Sequence, residues 1–223
     1  INPVRNIILH GFPPLLKTNF PKFSSISDAT SEIHLEYSIS FVFTLPSVAR
    51  GGVASLRSER LPMHFLRGLS GVACFYFYFF ALSKISLLEG TLLRNSAPLM
   101  VPLLIFLALR EPVSRRSLPP LLLGFAGVVL VLRPGFAELS IWHLVALGSG
   151  LGLAISMITT RMLASTEPAN RILFYYFAVS LMVSVPFFLW QGGGVHLSAY
   201  PWLLYMGVVI YLCFLLYTWA YRY

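Results

Sequence analysis

The feature that most limits the fold of this sequence is a series of apolar blocks, each roughly 20 residues long. A helix of about 20 residues crosses the roughly 30 Å of hydrocarbon in a bilayer. Hydrophobic residues make up 57% of the chain and charged residues only 11%, and the mean hydropathy is +0.77. A soluble core cannot bury so much apolar surface, so the pattern predicts an all-α, polytopic membrane helical bundle.

About six full spans are predicted, and short breaks separate them. They cover residues 65–82, 91–109, 118–132, 141–160, 172–190 and 202–220. A weaker apolar stretch at residues 39–49 is too short to cross a bilayer alone. Residues 1–36 contain four prolines and a serine-rich patch and follow no helical or strand period, so we predict an irregular segment there.

Positive charge predicts the orientation, because lysine and arginine in short loops are retained in the cytoplasm. Alternation of six spans assigns ten basic residues to one face and only Lys84 and Arg133 to the other. The ten are Arg50, Arg57, Arg60, Arg67, Arg110, Arg115, Arg116, Arg161, Arg171 and Arg222. We therefore expect the end at Tyr223 to be cytoplasmic, in a bacterial inner membrane or a plasma membrane.

Several function classes lack the residues that they require. The net charge of +8 comes from basic residues between apolar blocks, without interleaved aromatics, so no nucleic-acid partner is expected. Cys74 and Cys213 lie inside apolar blocks without CxxC spacing, and the five histidines form no ligand cluster, which predicts no metal site. The sequence contains no HExxH or GxSxG motif, so we expect neither an enzyme nor a cofactor.

The second predicted span carries the chemistry. Glu89 lies near its outer end, and Arg94 lies about a turn and a half deeper. An ionisable side chain within a span costs roughly 2.5–3.5 kcal/mol on insertion scales, so both should face protein or water. A cation at Arg94 would suit an anionic or zwitterionic solute. The alternative is a structural ion pair of each with a neighbouring helix, because a spacing of five residues does not favour direct pairing.

Asn95 and Ser96 follow Arg94 in the same span and are further candidates for the solute pathway. Pro98 cannot donate to the carbonyl of Arg94, nor Pro102 to that of Pro98, which leaves two carbonyls on one helix face. Such carbonyls are tolerated at membrane depth where they line a cavity or meet a donor from a neighbour. The alternative is that both prolines only kink the helix for packing.

Two tyrosines in other spans complete the set of pathway candidates. Tyr76 lies in an aromatic run of the first span and Tyr175 in the fifth, and each could offer a hydroxyl to a solute, although lipid or packing contact is the commoner role. Small-residue faces in two spans predict close helix packing. Their glycines are Gly124 and Gly127 in the third span and Gly148 and Gly152 in the fourth.

A set of short motifs extends from residue 66 to residue 135. They are Ala81-Leu82, LEGTLLRNSAPL at 88–99, Pro102, REPV at 110–113 and GFAGV at 124–128. In this combination they resemble the first EamA domain of the drug/metabolite transporter (DMT) superfamily. Glu111 belongs to the REPV motif, in a loop predicted to be cytoplasmic.

The resemblance implies a ten-helix transporter of two inverted five-helix repeats around a central cavity. Members move small metabolites such as amino acids, nucleobases, vitamins and S-adenosylmethionine. On that plan the six spans are helices three to eight, and the chain is incomplete at both ends. Residues 1–39 do not resemble the family, whereas 40–135 would be the remainder of the first EamA repeat and 136–223 part of the second.

The function expected from these observations is alternating-access transport of a small metabolite. The expected partners are the lipid bilayer and a small-molecule solute, and a homodimer is left open. The first and sixth spans, which would run in opposite directions, both end on aromatic-Ala-x and a basic residue, as inverted repeats predict. An inactive transporter fragment or an accessory membrane subunit is the alternative.

Overall fold

The computed structural model describes residues 26–109, 118–132, 140–190 and 200–221. Within them the chain forms eight α-helices and one short 3-10 helix, Val53–Leu56. The α-helices are α1 (Ile26–Gly51), α2 (Leu61–Leu82), α3 (Leu87–Asn95), α4 (Ala97–Leu109), α5 (Leu118–Leu132), α6 (Ile141–Ala164), α7 (Ala169–Trp190) and α8 (Tyr200–Ala220). No strand occurs in these residues.

Five stretches in the described residues are long and apolar enough to cross a membrane. They are Leu61–Leu82, Leu87–Leu107, Ile141–Ala164, Ala169–Trp190 and Leu203–Ala220. The predicted helical membrane bundle is therefore confirmed. The third predicted span is present as α5, but its 15 residues make it shorter than the other five.

The first helix is a correction to the sequence analysis, because residues 26–36 are helical where an irregular segment was predicted. The buried residues described in α1 are Ser31, Ile33, Tyr37, Ser40 and Thr44. Three of these five are serine or threonine, so apolar periodicity alone does not reveal the buried face. The Ser40 hydroxyl donates to the Gly207 carbonyl of α8 at 3.0 Å, which satisfies the buried group.

The second predicted span is present as the stretch Leu87–Leu107, but it contains a break at Ser96 that was not predicted. Pro98 consequently stands in the first turn of α4, where a missing N–H costs little, and not in a helix interior. Pro102 does lie inside α4. The Ser96 hydroxyl donates to the Leu93 carbonyl at 2.6 Å, so the end of α3 is satisfied from within the span.

The helix directions follow from contacts between α2 and its neighbours. Along α2, His64 lies against Tyr175 and Tyr76 against Phe187, in the same order as along α7, so α2 and α7 are parallel. Contacts of α2 with α6 occur in the opposite order. The Arg67 side chain reaches Thr160, whereas Cys74, further along α2, lies next to Gly152, which comes earlier in α6. The two helices are therefore antiparallel. These directions are those that alternating spans require, whereas the side of the membrane on which each end lies stays a prediction.

Close packing between α2 and α6 depends on Gly152. A Cβ at this position would lie 2.9 Å from the Ser70 carbonyl oxygen and 3.2 Å from the Cys74 backbone nitrogen. Gly148 faces the Phe77 ring, whereas a Cβ at Gly127 would meet nothing within 4 Å. The predicted small-residue contact is therefore present in α6 at backbone distance, and it brings the polar residues of α2 and α6 together.

Candidate solute-binding site

Arg94 is held against one face of α2 by two aromatic rings. Its guanidinium carbon lies 4.6 Å from the centre of the Phe75 ring and 4.9 Å from that of Tyr78. Each cation–π contact contributes about 1–2 kcal/mol when it is desolvated, which offsets much of the cost of a charge at this depth. The Nε atom of Arg94 is buried and has no hydrogen-bond partner among the described residues. The side chain is thus fixed in position but retains a free donor.

Elements on both sides of Arg94 hold this arrangement. The Tyr78 hydroxyl and the Thr91 hydroxyl are 3.0 Å apart, which fixes α3 against α2 one turn before Arg94. A Cβ at Gly150 of α6 would lie 2.7 Å from the Leu93 carbonyl oxygen. Because that atom belongs to the backbone, only glycine allows α6 to approach the end of α3 so closely.

Glu89 has a structural partner. Its carboxylate accepts hydrogen bonds from the Ser86 backbone N–H at 2.9 Å and the Ser86 hydroxyl at 2.7 Å. The Ser86 hydroxyl in turn accepts from the Glu89 N–H at 3.3 Å, which completes a capping box at the start of α3. The Ser-x-x-Glu spacing is visible in the sequence and signals this role. A role of Glu89 in the solute pathway stays a prediction.

The other candidates of the second span do not converge on Arg94 in one pocket. Asn95 and Pro98 are exposed, Pro102 is half-buried, and Ser96 is buried with its hydroxyl directed to the backbone. Glu111 lies outside the described residues.

The two candidate tyrosines lie at different levels of the bundle. Tyr76 is 7% exposed, packs on Phe187 with ring centres 4.6 Å apart, and has a buried hydroxyl without a partner among the described residues. The Tyr175 hydroxyl instead donates to the Leu56 carbonyl at 2.8 Å and so connects α7 to the 3-10 helix. The Tyr76 hydroxyl is therefore unpartnered among the described residues and that of Tyr175 is bonded, while a contact of either with a solute stays a prediction.

Arg67, the most buried arginine of the described residues, was not among the predicted site residues. It was counted among the loop charges, but it lies in the second turn of α2 and is 1% exposed. Its Nε donates to the Thr160 hydroxyl at 2.6 Å, and its guanidinium carbon lies 4.6 Å from the centre of the Tyr176 ring. Its buried position could have been inferred from the sequence, because it lies two residues inside the first predicted span. A charged side chain there has a high free-energy cost of insertion.

A second polar cluster closes the same end of the bundle. Glu167, in the turn between α6 and α7, is 2.6 Å from His64 Nε2 and also accepts from the Ser58 hydroxyl. Arg171 lies 4.0 Å from the same carboxylate. Glu167 is therefore fully engaged, and this cluster joins α2 to the start of α7.

The fold, with Arg67 buried and Arg94 half-buried among its helices, defines a polytopic helical membrane protein with polar groups in its interior. Residues 30–133 match the family described as "EamA-like transporter family". The similarity that the sequence motifs predicted is therefore confirmed over these residues, and the match includes most of α1.

Curated relatives with named activities support the same assignment. The pseudopaline exporter CntI of Pseudomonas aeruginosa is 29% identical over 163 residues, which are 72% of this chain and 57% of the exporter. A riboflavin transporter of Brucella anthropi is 26% identical over 165 residues, 74% of this chain and 57% of that protein. An S-adenosylmethionine uptake transporter of Rickettsia bellii is 26% identical over 147 residues, 66% of this chain and 50% of that protein. The chain thus spans about half the length of these relatives.

A solved crystal structure shares the fold. Its TM-score is 0.63 at 20% sequence identity, and the similarity covers 87% of this chain and 69% of the other. The helical arrangement described above is therefore one that occurs in an experimental structure.

Proposed function

We propose that this chain belongs to a transporter of small metabolites and that Arg94 contacts the solute. The observation that carries the proposal is the Arg94 guanidinium, which is fixed between Phe75 and Tyr78 inside a membrane-length bundle with its Nε unpaired. A purely structural arginine at this depth would be expected to have its donors satisfied by protein groups. A free donor on a fixed cation suits an anionic or zwitterionic solute.

The relatives give this proposal its solute classes. They are named for export of pseudopaline, transport of riboflavin and uptake of S-adenosylmethionine, so the fold carries several metabolites in both directions. We propose alternating access between two inverted repeats, with the boundary near residue 135 and the end at Tyr223 in the cytoplasm. No reaction is catalysed in this mechanism, and its proposed partners are lipid and solute, without nucleic acid.

The test is uptake and efflux of labelled amino acids, nucleosides and vitamins in cells that express the chain. Arg94→Gln removes the cation at similar length, and Arg94→Lys keeps the charge without the planar guanidinium. Arg161→Gln is the matched control, because Arg161 is an exposed arginine in the last turn of α6. We expect Arg94→Gln to lower solute uptake at least tenfold while Arg161→Gln retains it.

The amount of folded protein in the membrane separates a transport defect from a folding defect. Equal transport by the Arg94→Gln variant and the unaltered chain would refute the role of Arg94. Loss of folded Arg94→Gln protein, with normal transport by Arg94→Lys, would assign the residue to structure. Transport of no panel member by any variant would contradict the proposed function itself.

A further inference from the structure

The guanidinium of Arg67 presents an unpaired edge inside the bundle. Its Nη1 and Nη2 atoms are buried and have no hydrogen-bond partner among the described residues. The Nε edge is occupied, because it donates to the Thr160 hydroxyl, whose own proton goes to the Ser156 carbonyl at 2.5 Å. One edge of the guanidinium is therefore anchored and the opposite edge is free.

The described carboxylates do not neutralise this charge. Glu167, the acidic group fixed at the same end of α2, is already engaged by His64, Ser58 and Arg171. Tyr176 covers one face of the guanidinium with its ring, but a cation–π contact satisfies no N–H donor. Burial of a charged group with two unpaired nitrogens is costly, so the arrangement calls for a ligand in another state of the protein.

The geometry of the free edge selects the ligand. Two parallel N–H donors on a rigid plane match the two oxygens of a carboxylate, which binds arginine in a bidentate manner. Tyr176, whose ring lies over the guanidinium face, would form the α7 wall of the site and contact an aromatic or other apolar body attached to that carboxylate.

In this structure the site is closed. Tyr176 fits against α2 because residue 71 is glycine: a Cβ there would lie 2.7 Å from the Tyr176 ring and 3.0 Å from its hydroxyl. The Tyr176 ring, on α7, therefore covers the guanidinium where α7 packs on α2. Arg94 belongs to α3 and lies next to Cys74 of α2, which is two turns from Arg67.

We propose that the free Nη edge of Arg67 binds the carboxylate of an anionic solute when α7 moves away from α2. The inference rests on the proposed transport function for the origin of its ligand, but binding is measured without transport. Arg67 would then be a second cationic binding residue, closer to the start of α2 than the level at which Arg94 lies.

Binding is measured as the shift of the thermal unfolding midpoint of the purified chain in detergent, because a ligand of the folded state raises that midpoint. The probe is sodium benzoate, with benzamide as its neutral isostere and inorganic phosphate as the alternative anion. We expect benzoate to raise the midpoint in the unaltered chain and in the Arg161→Gln control. We expect Arg67→Gln to raise the half-maximal benzoate concentration at least tenfold.

Several results would overturn the inference. They are an equal shift with benzamide, a shift with phosphate alone, an unchanged benzoate response in Arg67→Gln, and loss of the response in Arg94→Gln but not in Arg67→Gln. If Arg67→Gln does not fold, Arg67→Lys decides, since a lysine retains the charge but lacks the bidentate edge. Benzoate binding that depends on Arg67 in a chain that transports nothing would support this site and contradict the transport proposal alone.

Discussion

The replacement Gly152→Ala tests the contact on which the interior of this bundle depends. The added Cβ would lie 2.9 Å from the Ser70 carbonyl oxygen and 3.3 Å from Cys74 Cα. These are backbone atoms of α2, so no side-chain rotation can relieve the contact and the helices must separate. Overpacking of this kind costs about 1–3 kcal/mol, while alanine in place of a helical glycine returns about 0.5–1 kcal/mol. We expect a net loss of about 0.5–2 kcal/mol in the free energy of unfolding.

The matched control is Gly127→Ala in α5, where the added Cβ meets nothing within 4 Å. This variant carries only the favourable helix term, so it should be as stable as the unaltered chain or slightly more stable. Both free energies come from reversible unfolding in mixed micelles with increasing sodium dodecyl sulfate, followed by circular dichroism. If the two variants differ by less than about 0.5 kcal/mol, the close approach of α6 to α2 is not real.

Three further replacements test the polar contacts near the helix ends, each by the same unfolding measurement. Glu89→Ala removes the capping carboxylate of α3 and should cost about 0.3–1.5 kcal/mol; no loss would contradict the capping box. Glu167→Gln removes the charge facing His64 and should cost about 1–3 kcal/mol, whereas the exposed Glu59→Gln should change little; equal effects would argue against the buried cluster. Tyr175→Phe removes a single hydrogen bond and should cost about 1 kcal/mol, and a neutral result would show that this hydroxyl is satisfied by water.

Hydropathy predicted most of the fold because long apolar segments have few alternatives to spanning a bilayer. The predicted spans at 141–160 and 172–190 fall within α6 (Ile141–Ala164) and α7 (Ala169–Trp190). Hydropathy did not reveal the full length of α1, whose buried face includes Ser40 and Thr44. Their hydroxyls are satisfied by backbone carbonyls, so the face is buried without being apolar.

The candidate site was predictable only in part. A charged residue within an apolar block is visible in the sequence, but the residues that it contacts are not. Arg94 was found from its position in an apolar block, whereas Phe75 and Tyr78 are 19 and 16 residues away in sequence and reach it only through the antiparallel packing of α2 and α3. The role of Glu89 was readable from the Ser86-x-x-Glu89 spacing.

Arg67 shows why counting positive charge for topology requires care at span boundaries. Charges report orientation only when they lie in loops, and Arg67 lies inside α2 with 1% exposure. Its removal from the count still leaves nine basic residues on one face against two on the other, so the predicted orientation does not depend on it. The same residue then belongs with Arg94 as a cation inside the bundle. Neither forms an ion pair with a described carboxylate, and this is the observation on which the proposal of an anionic solute rests.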